Sequence, residues 1–183
     1  EQALESCRRY GEIAPNIGHS NHMPGHNYSK LGMWNEAAIS MDSATRVELN
    51  YMNERLALPF ETWNFAHNRN YLSYIQEQLG MEHASIQGAR ALIAAPRDPL
   101  LNKDDEMGAY DQGVQALTRC LIKFERWDEI LKPDSIPWRD TPTDKANRAF
   151  AEAVARVGKG DLVEARSKIS EIRAAIKGQS DES

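Results

Sequence analysis

Cysteine is scarce. Cys7 and Cys120 are the two present in 183 residues, far apart and in no ligand spacing. A disulfide framework, a cysteine-based zinc motif and a cysteine nucleophile therefore lack support. Both residues fall at helical positions where cysteine serves as a small apolar group. No run of 18 or more apolar residues occurs, so no segment reads as a membrane-spanning helix. Neither sign of charge dominates: 22 Lys and Arg face 27 Asp and Glu, for a net charge of −5. The basic face that a nucleic-acid partner requires is missing. There is no phosphate-cradling glycine loop and no serine nucleophile elbow. No signal peptide is visible, and no compartment follows from that. No segment alternates apolar and polar residues as a strand does, which leaves an all-α chain.

What is present is a repeat. Ala3, Cys7, Tyr10 and Pro15 recur as Ala37, Met41, Ala44 and Leu49, each 34 residues later. Small residues at the first and third places let two helices approach, and the last place is expected to end the second helix. Between the copies, Gly25, Tyr28, Gly32, Trp34 and Ala37 supply a small residue, an aromatic, a turn glycine, an aromatic and an alanine at fixed offsets. This period and these residue types resemble the tetratricopeptide repeat. The resemblance implies a right-handed superhelical stack of antiparallel helix pairs, about five here, with a concave face that holds a partner. In that phase the chain starts inside a repeat. Glu1 is then expected to follow a missing first helix, in a piece of a longer protein whose absent part covers an apolar face. Without that part, the chain is expected to dock on it or to self-associate.

The elements follow from local signals. A helix is expected over roughly Gln2 to Ile13, with Asn16 to Ser20 as a turn. Asn21 reads as the next N-cap, which places Pro24 at the third helical position. That helix runs to Leu31 and is closed by Gly32, and Trp34 opens the next, which continues towards Leu56 until Pro59 stops it. The extra length between Thr45 and Trp63 must enter a helix or a loop. Phe65, Leu72, Ile75 and Leu79 form a helical stripe that ends at Gly80, and Ala84, Gly88, Ala91 and Pro96 repeat the small-residue pattern. A loop is expected from Pro96 to Lys103, with Asp104, Asp105 and Glu106 favouring the start of a helix. Val114, Leu117, Leu121 and Phe124 mark the buried face of that helix. Trp127 to Ile130 echoes Trp34 to Ala37, and Pro133 cuts the second helix short. Thr141 caps a helix with Pro142 at its first position, containing Phe150, Val154 and Val157. Leu162, Ala165, Ile169 and Ile172 complete the last pair. Residues 1–177 are read as one helical-repeat domain and 178–183 as a frayed polar tail.

The histidines cluster. His19, His22 and His26 lie in one turn and the helix after it, and His22 and His26, four apart, share a helix face. By the repeat resemblance they occupy the second, fifth and ninth places of a first helix, which face the concave groove. His67 sits at the second or third place of the next first helix, because Gly80 and Ala84 disagree by one residue. Tyr71 and Tyr74 flank the Leu72–Ile75 stripe near Asn68 and Asn70, while His83 reads as a surface residue.

Three readings compete for this cluster. In one, the histidines bond loop backbone and pack against Tyr28, Trp34 and Trp63. In the second, His22, His26, His67, Asn70 and Tyr74 line a groove for a peptide or protein partner, with no cofactor. In the third, His19, His22, His26 and His67 hold zinc or another transition metal, as in a metal-dependent enzyme or a metal carrier.

A narrower resemblance covers nearly the whole chain. His22-Met23-Pro24-Gly25-His26 ahead of Leu31-Gly32-Met33-Trp34, the pair His67-Asn68 with Tyr71-Leu72, and Phe124 to Leu131 resemble a group of bacterial tetratricopeptide-repeat proteins. It implies a repeat scaffold. In that group a further histidine and a glutamate lie upstream of the position where this chain starts.

Overall fold

The computed structural model describes residues 2–98, 100 and 108–181, without the side chains of Gln2, Ala3, Arg8, Trp63 and 178–181. Pro99, Asn102, Lys103 and the Asp104-Asp105-Glu106 group lie outside the described residues. Among the described residues there is no strand. The helices are α1 (Gln2–Ile13), α2 (Gly18–Lys30), α3 (Trp34–Arg55), α4 (Trp63–Gln78), α5 (Glu82–Ile93), α6 (Ala109–Lys123), α7 (Trp127–Leu131), α8 (Pro142–Gly158) and α9 (Leu162–Asp181). A 3-10 turn spans Pro59–Glu61. None of these helices is long and apolar enough to cross a membrane. The chain divides into two compact units, Glu1–Ala116 and Leu117–Ser183.

Four of the connections are the same turn. Gly32, Gly80, Glu125 and Gly160 each take left-handed backbone, with φ of 73°, 70°, 54° and 80°. Each donates its N–H to the carbonyl three residues back, at 3.1, 3.3, 3.2 and 2.9 Å. The next residue donates to the carbonyl five back, at 2.9, 2.9, 2.8 and 2.8 Å. This is the Schellman arrangement, which uses up the orphan carbonyls at a helix end. In every case the following helix starts two residues after the left-handed one. Glycine adopts that backbone without strain, whereas Glu125 carries a Cβ into it at a cost of about 1 kcal/mol.

These turns settle the register that the small residues left open. The fifth residue after each left-handed position is buried: Ala37, Ser85, Ile130 and Ala165. On α5 the inward residues are therefore Ser85, Ala89 and Leu92, matching Ala37, Met41 and Ala44 on α3. Gly88 is buried as expected, but Ala91 is exposed and Ala84 only half-buried. The Gly80 register puts His67 at the second place of its helix, the counterpart of His19.

The start of α2 differs from expectation. The helix begins at Gly18, after an extended Ile17, and Asn21 does not cap it. The Asn21 amide instead donates backwards to the carbonyls of Pro15 (3.0 Å) and Ile17 (3.1 Å). The Ser20 hydroxyl likewise donates to Ala14 and Ile17 carbonyls. These bonds fold the Ala14–Ile17 segment onto the first turn, so the helix winds up earlier. Pro24 is then inside the helix, where its missing N–H leaves a ladder bond unmade. Ser40 on α3 partly compensates by donating to the Asn21 carbonyl at 2.5 Å.

In the first unit, Cys7, Tyr28, Ala37, Met41, Leu72 and Ile75 form one buried cluster. Met52, Phe65, Ala66, Leu92 and Ala109 form a second. Within this unit α2 packs on α1 and α3, α4 packs on α3 and α5, and α2 also touches α4. Gly25 lets α2 approach α3 closely, since a Cβ there would lie 2.9 Å from Met41 Cε and Cγ. Two positions of the 34-residue pattern behave differently from their counterparts. Tyr10 is exposed while Ala44 is buried, and Leu49 does not end α3. The helix runs to Arg55, with Leu56 left-handed at φ 53°, and the 3-10 turn takes up the remaining extra length.

In the second unit α7 is short because Lys132, ahead of Pro133, is extended. The Thr141 hydroxyl accepts the Asp144 N–H at 3.1 Å, the expected cap of α8. The α8–α9 pair closes on alanines, with Ala149, Ala151, Ala155 and Ala165 buried and Phe150 and Val157 more than half exposed. Lys168 is not simply part of a solvated face, because it reaches Glu152 on α8 at 2.8 Å. Helix α9 continues to Asp181, through the start of the expected tail, and Glu182 and Ser183 lie outside the described residues.

Candidate metal centre

Helix α2 presents His22 and His26 one turn apart, and α4 presents His67 across from them. Their ligand atoms lie within 4.8 Å of one another. His22 Nε2 is 3.0 Å from His26 Nε2, and His26 Nε2 is 3.4 Å from His67 Nε2. Two ligands 2.0–2.1 Å from a tetrahedral zinc ion are about 3.3 Å apart, so these gaps are those of one shared coordination shell.

The protonation of His22 follows from its partner. Its Nδ1 sits 2.6 Å from the side-chain carbonyl oxygen of Asn68. A carbonyl only accepts, so Nδ1 carries the hydrogen and Nε2 presents a lone pair to the cluster. Without a metal, one hydrogen between His26 and His22 can pair those two nitrogens, and the third converging nitrogen has no place in that bond. A cation bound by all three lone pairs satisfies the whole set. Asn68 is fully buried, and its amide nitrogen finds no partner.

Packing explains the ring positions. His22 and His26 meet edge to face with centroids 4.3 Å apart, and His22 and His67 centroids are 5.0 Å apart. The Tyr71 ring meets His26 at 4.4 Å, and its hydroxyl pairs with Ser29 at 2.8 Å, fixing that wall. His22 is buried, while His26 and His67 are half-buried, so the site opens to solvent on their side. Burial, and then repulsion from His26, holds the His22 pKa down at about 4. Burial lowers His26 and His67 as well, with His67 and Lys30 adding repulsion at His26. All three imidazoles are thus neutral near pH 7, the form that binds metal.

Of the four expected metal ligands, His19 stays outside the group. It is exposed and stacks on His22 with centroids 5.4 Å apart. Asn70 and Tyr74 also stay away from the nitrogens. Asn70 donates to Gln112 on α6 at 3.2 Å, and Tyr74 packs against Trp34 and Tyr71. The expected bonds from histidine to loop backbone are replaced by bonds to one another and to Asn68. Trp63's side chain lies outside the described residues. The residue that sequence reasoning passed over is Asn68. Its only signal was its place beside His67, with no hint that it serves His22. No family model matches this chain, and no curated protein or solved structure is significantly similar to it.

Proposed function

We propose that this chain is a metal-binding protein whose centre is held by the Nε2 atoms of His22, His26 and His67 on a tetratricopeptide-like helical scaffold. The observation that carries the reading is the convergence of three imidazole nitrogens at ligand–ligand spacing, 3.0 and 3.4 Å. Three histidines with a fourth position left to solvent is the pattern of catalytic rather than structural zinc sites. The reading therefore favours a metal-dependent enzyme over a site that only braces the fold. Zinc and its neighbours in the transition series suit an all-imidazole set. The repeat reading is supported by four identical turns, by buried residues at the same offset after each, and by the α2–α4 contact.

The test is metal content by mass spectrometry of protein purified without chelator, beside a His22→Ala/His26→Ala variant. About one metal ion per chain is expected, and loss of it in the variant with helical circular dichroism retained. A wild-type protein that takes up neither zinc, cobalt nor copper when titrated would end the metal reading.

A second reading, a groove for a peptide or protein partner, draws on the equivalence of the two first helices. His67, Asn70 and Tyr74 follow His19, His22 and His26 by 48 residues each, so both helices offer polar or aromatic groups at matching places. If that reading holds and the metal reading fails, Asn70→Ala and Tyr74→Ala weaken capture of a co-purifying partner and leave metal content unaffected.

A further inference from the structure

The charge around the three histidines is one-sided. The ligand set is neutral, and among the described residues no aspartate, glutamate or cysteine shares the cluster. The group that orients His22 is also neutral, an amide where many metal-bound histidines have a carboxylate. The charges that do bear on the rings are cationic: His19 acts on His22, and Lys30 and His19 act on His26. A divalent ion here keeps its full charge in a half-buried setting, where such a charge is poorly screened.

We infer that the open position of this metal takes a small anion, of the carboxylate or azide class, in place of water. The inference rests on the metal reading above. The step is a ligand exchange: the metal–water bond breaks, the metal–anion bond forms, and nothing is oxidised or reduced. The incoming charge is the only anion near the ion, and the half-buried edges of His26 and His67 leave it a way in. A neutral donor of the same size gains nothing from the uncompensated charge, so selectivity for anions is the signature of this arrangement.

The experiment uses the full chain loaded with Co2+, whose visible spectrum reports its ligands. Azide and acetate are titrated separately, with ammonium chloride as the ionic-strength control. A saturable change in the visible bands is expected with both anions. A second arm uses Asn68→Asp, which places a negative charge roughly 7 Å from the incoming anion. That weakens azide binding by about threefold to fiftyfold, depending on the effective dielectric. Cobalt bound through the histidines with a spectrum that ignores both anions would overturn the inference and leave the metal reading intact. Equal azide affinity in wild type and in cobalt-loaded Asn68→Asp would also overturn it, by removing its electrostatic basis. Failure to bind cobalt at all would overturn both.

Discussion

Acidifying the metal-free protein from pH 7 to pH 4 is expected to remove about 3 kcal/mol of stability through His22 alone. The sign follows from where the proton goes. In the fold, burial and the neighbouring His26 hold the His22 pKa at about 4, against 6.5 for an unperturbed imidazole. Between those values the unfolded chain binds a proton at this residue and the folded chain does not. The stabilisation is complete above pH 6.5 and falls as the pH drops towards 4, with a slope near 1.4 kcal/mol per pH unit. His26 and His67 are shifted in the same direction and add to the loss. Glu48 works the other way: burial raises its carboxyl, so its contribution grows as the pH falls.

The assay is urea unfolding with chelator present, followed by far-UV circular dichroism at a series of pH values. His22→Gln, run in parallel, keeps every other titrating group. The wild-type curve should fall more steeply than the variant's between pH 6.5 and 4, and the two should run parallel above 7. Parallel curves throughout would refute the burial argument for His22. Saturating metal should steepen the wild-type profile further. A metal present at about a hundred times its dissociation constant adds roughly 2.7 kcal/mol, which protons then compete away.

Three substitutions test other parts of the argument. Asn68→Leu leaves the His22 Nδ1–H without its carbonyl, and is expected to weaken metal affinity by about 10- to 100-fold in competition with a chromophoric chelator while the chain stays helical. Glu125→Gly relieves the left-handed strain in the third Schellman turn and is expected to raise stability by about 1 kcal/mol in chemical denaturation. Gly113→Ala pushes a Cβ to 2.7 Å from the backbone nitrogen of Ile93, which cannot swing aside, and is expected to cost about 1–3 kcal/mol. Gly25→Ala meets the Met41 side chain instead, and should cost less because a thioether chain can repack.

The parts of this molecule that were legible in its sequence are those fixed by one residue and its own turn. Gly32, Gly80 and Gly160 take backbone that few other residues tolerate, and Thr141 with Pro142 fits a helix start in only one way. Asn21 was misleading because an Asn side chain can bond forwards as a cap or backwards to earlier carbonyls. Here it does the second, a choice that the identity of the residue does not decide. Phe150 was misleading because hydrophobicity alone selects phenylalanine for an interior, whereas close approach of α8 and α9 selects Ala149, Ala151 and Ala155. The candidate site divides along the same line. The His22–His26 pair is a property of helical spacing and is visible in the chain. The arrival of His67 and Asn68 is not, since neighbours on a helix point about 100° apart. Both can meet α2 only if the seam between the two helices runs between them on α4, so that His67 reaches the Nε2 side of His22 and Asn68 its Nδ1 side. That crossing selects a tautomer for His22, and with it the atom offered to a metal. Shifting α4 by one residue would keep every helix and most of the buried area, yet would exchange the amide for the imidazole and dissolve the centre.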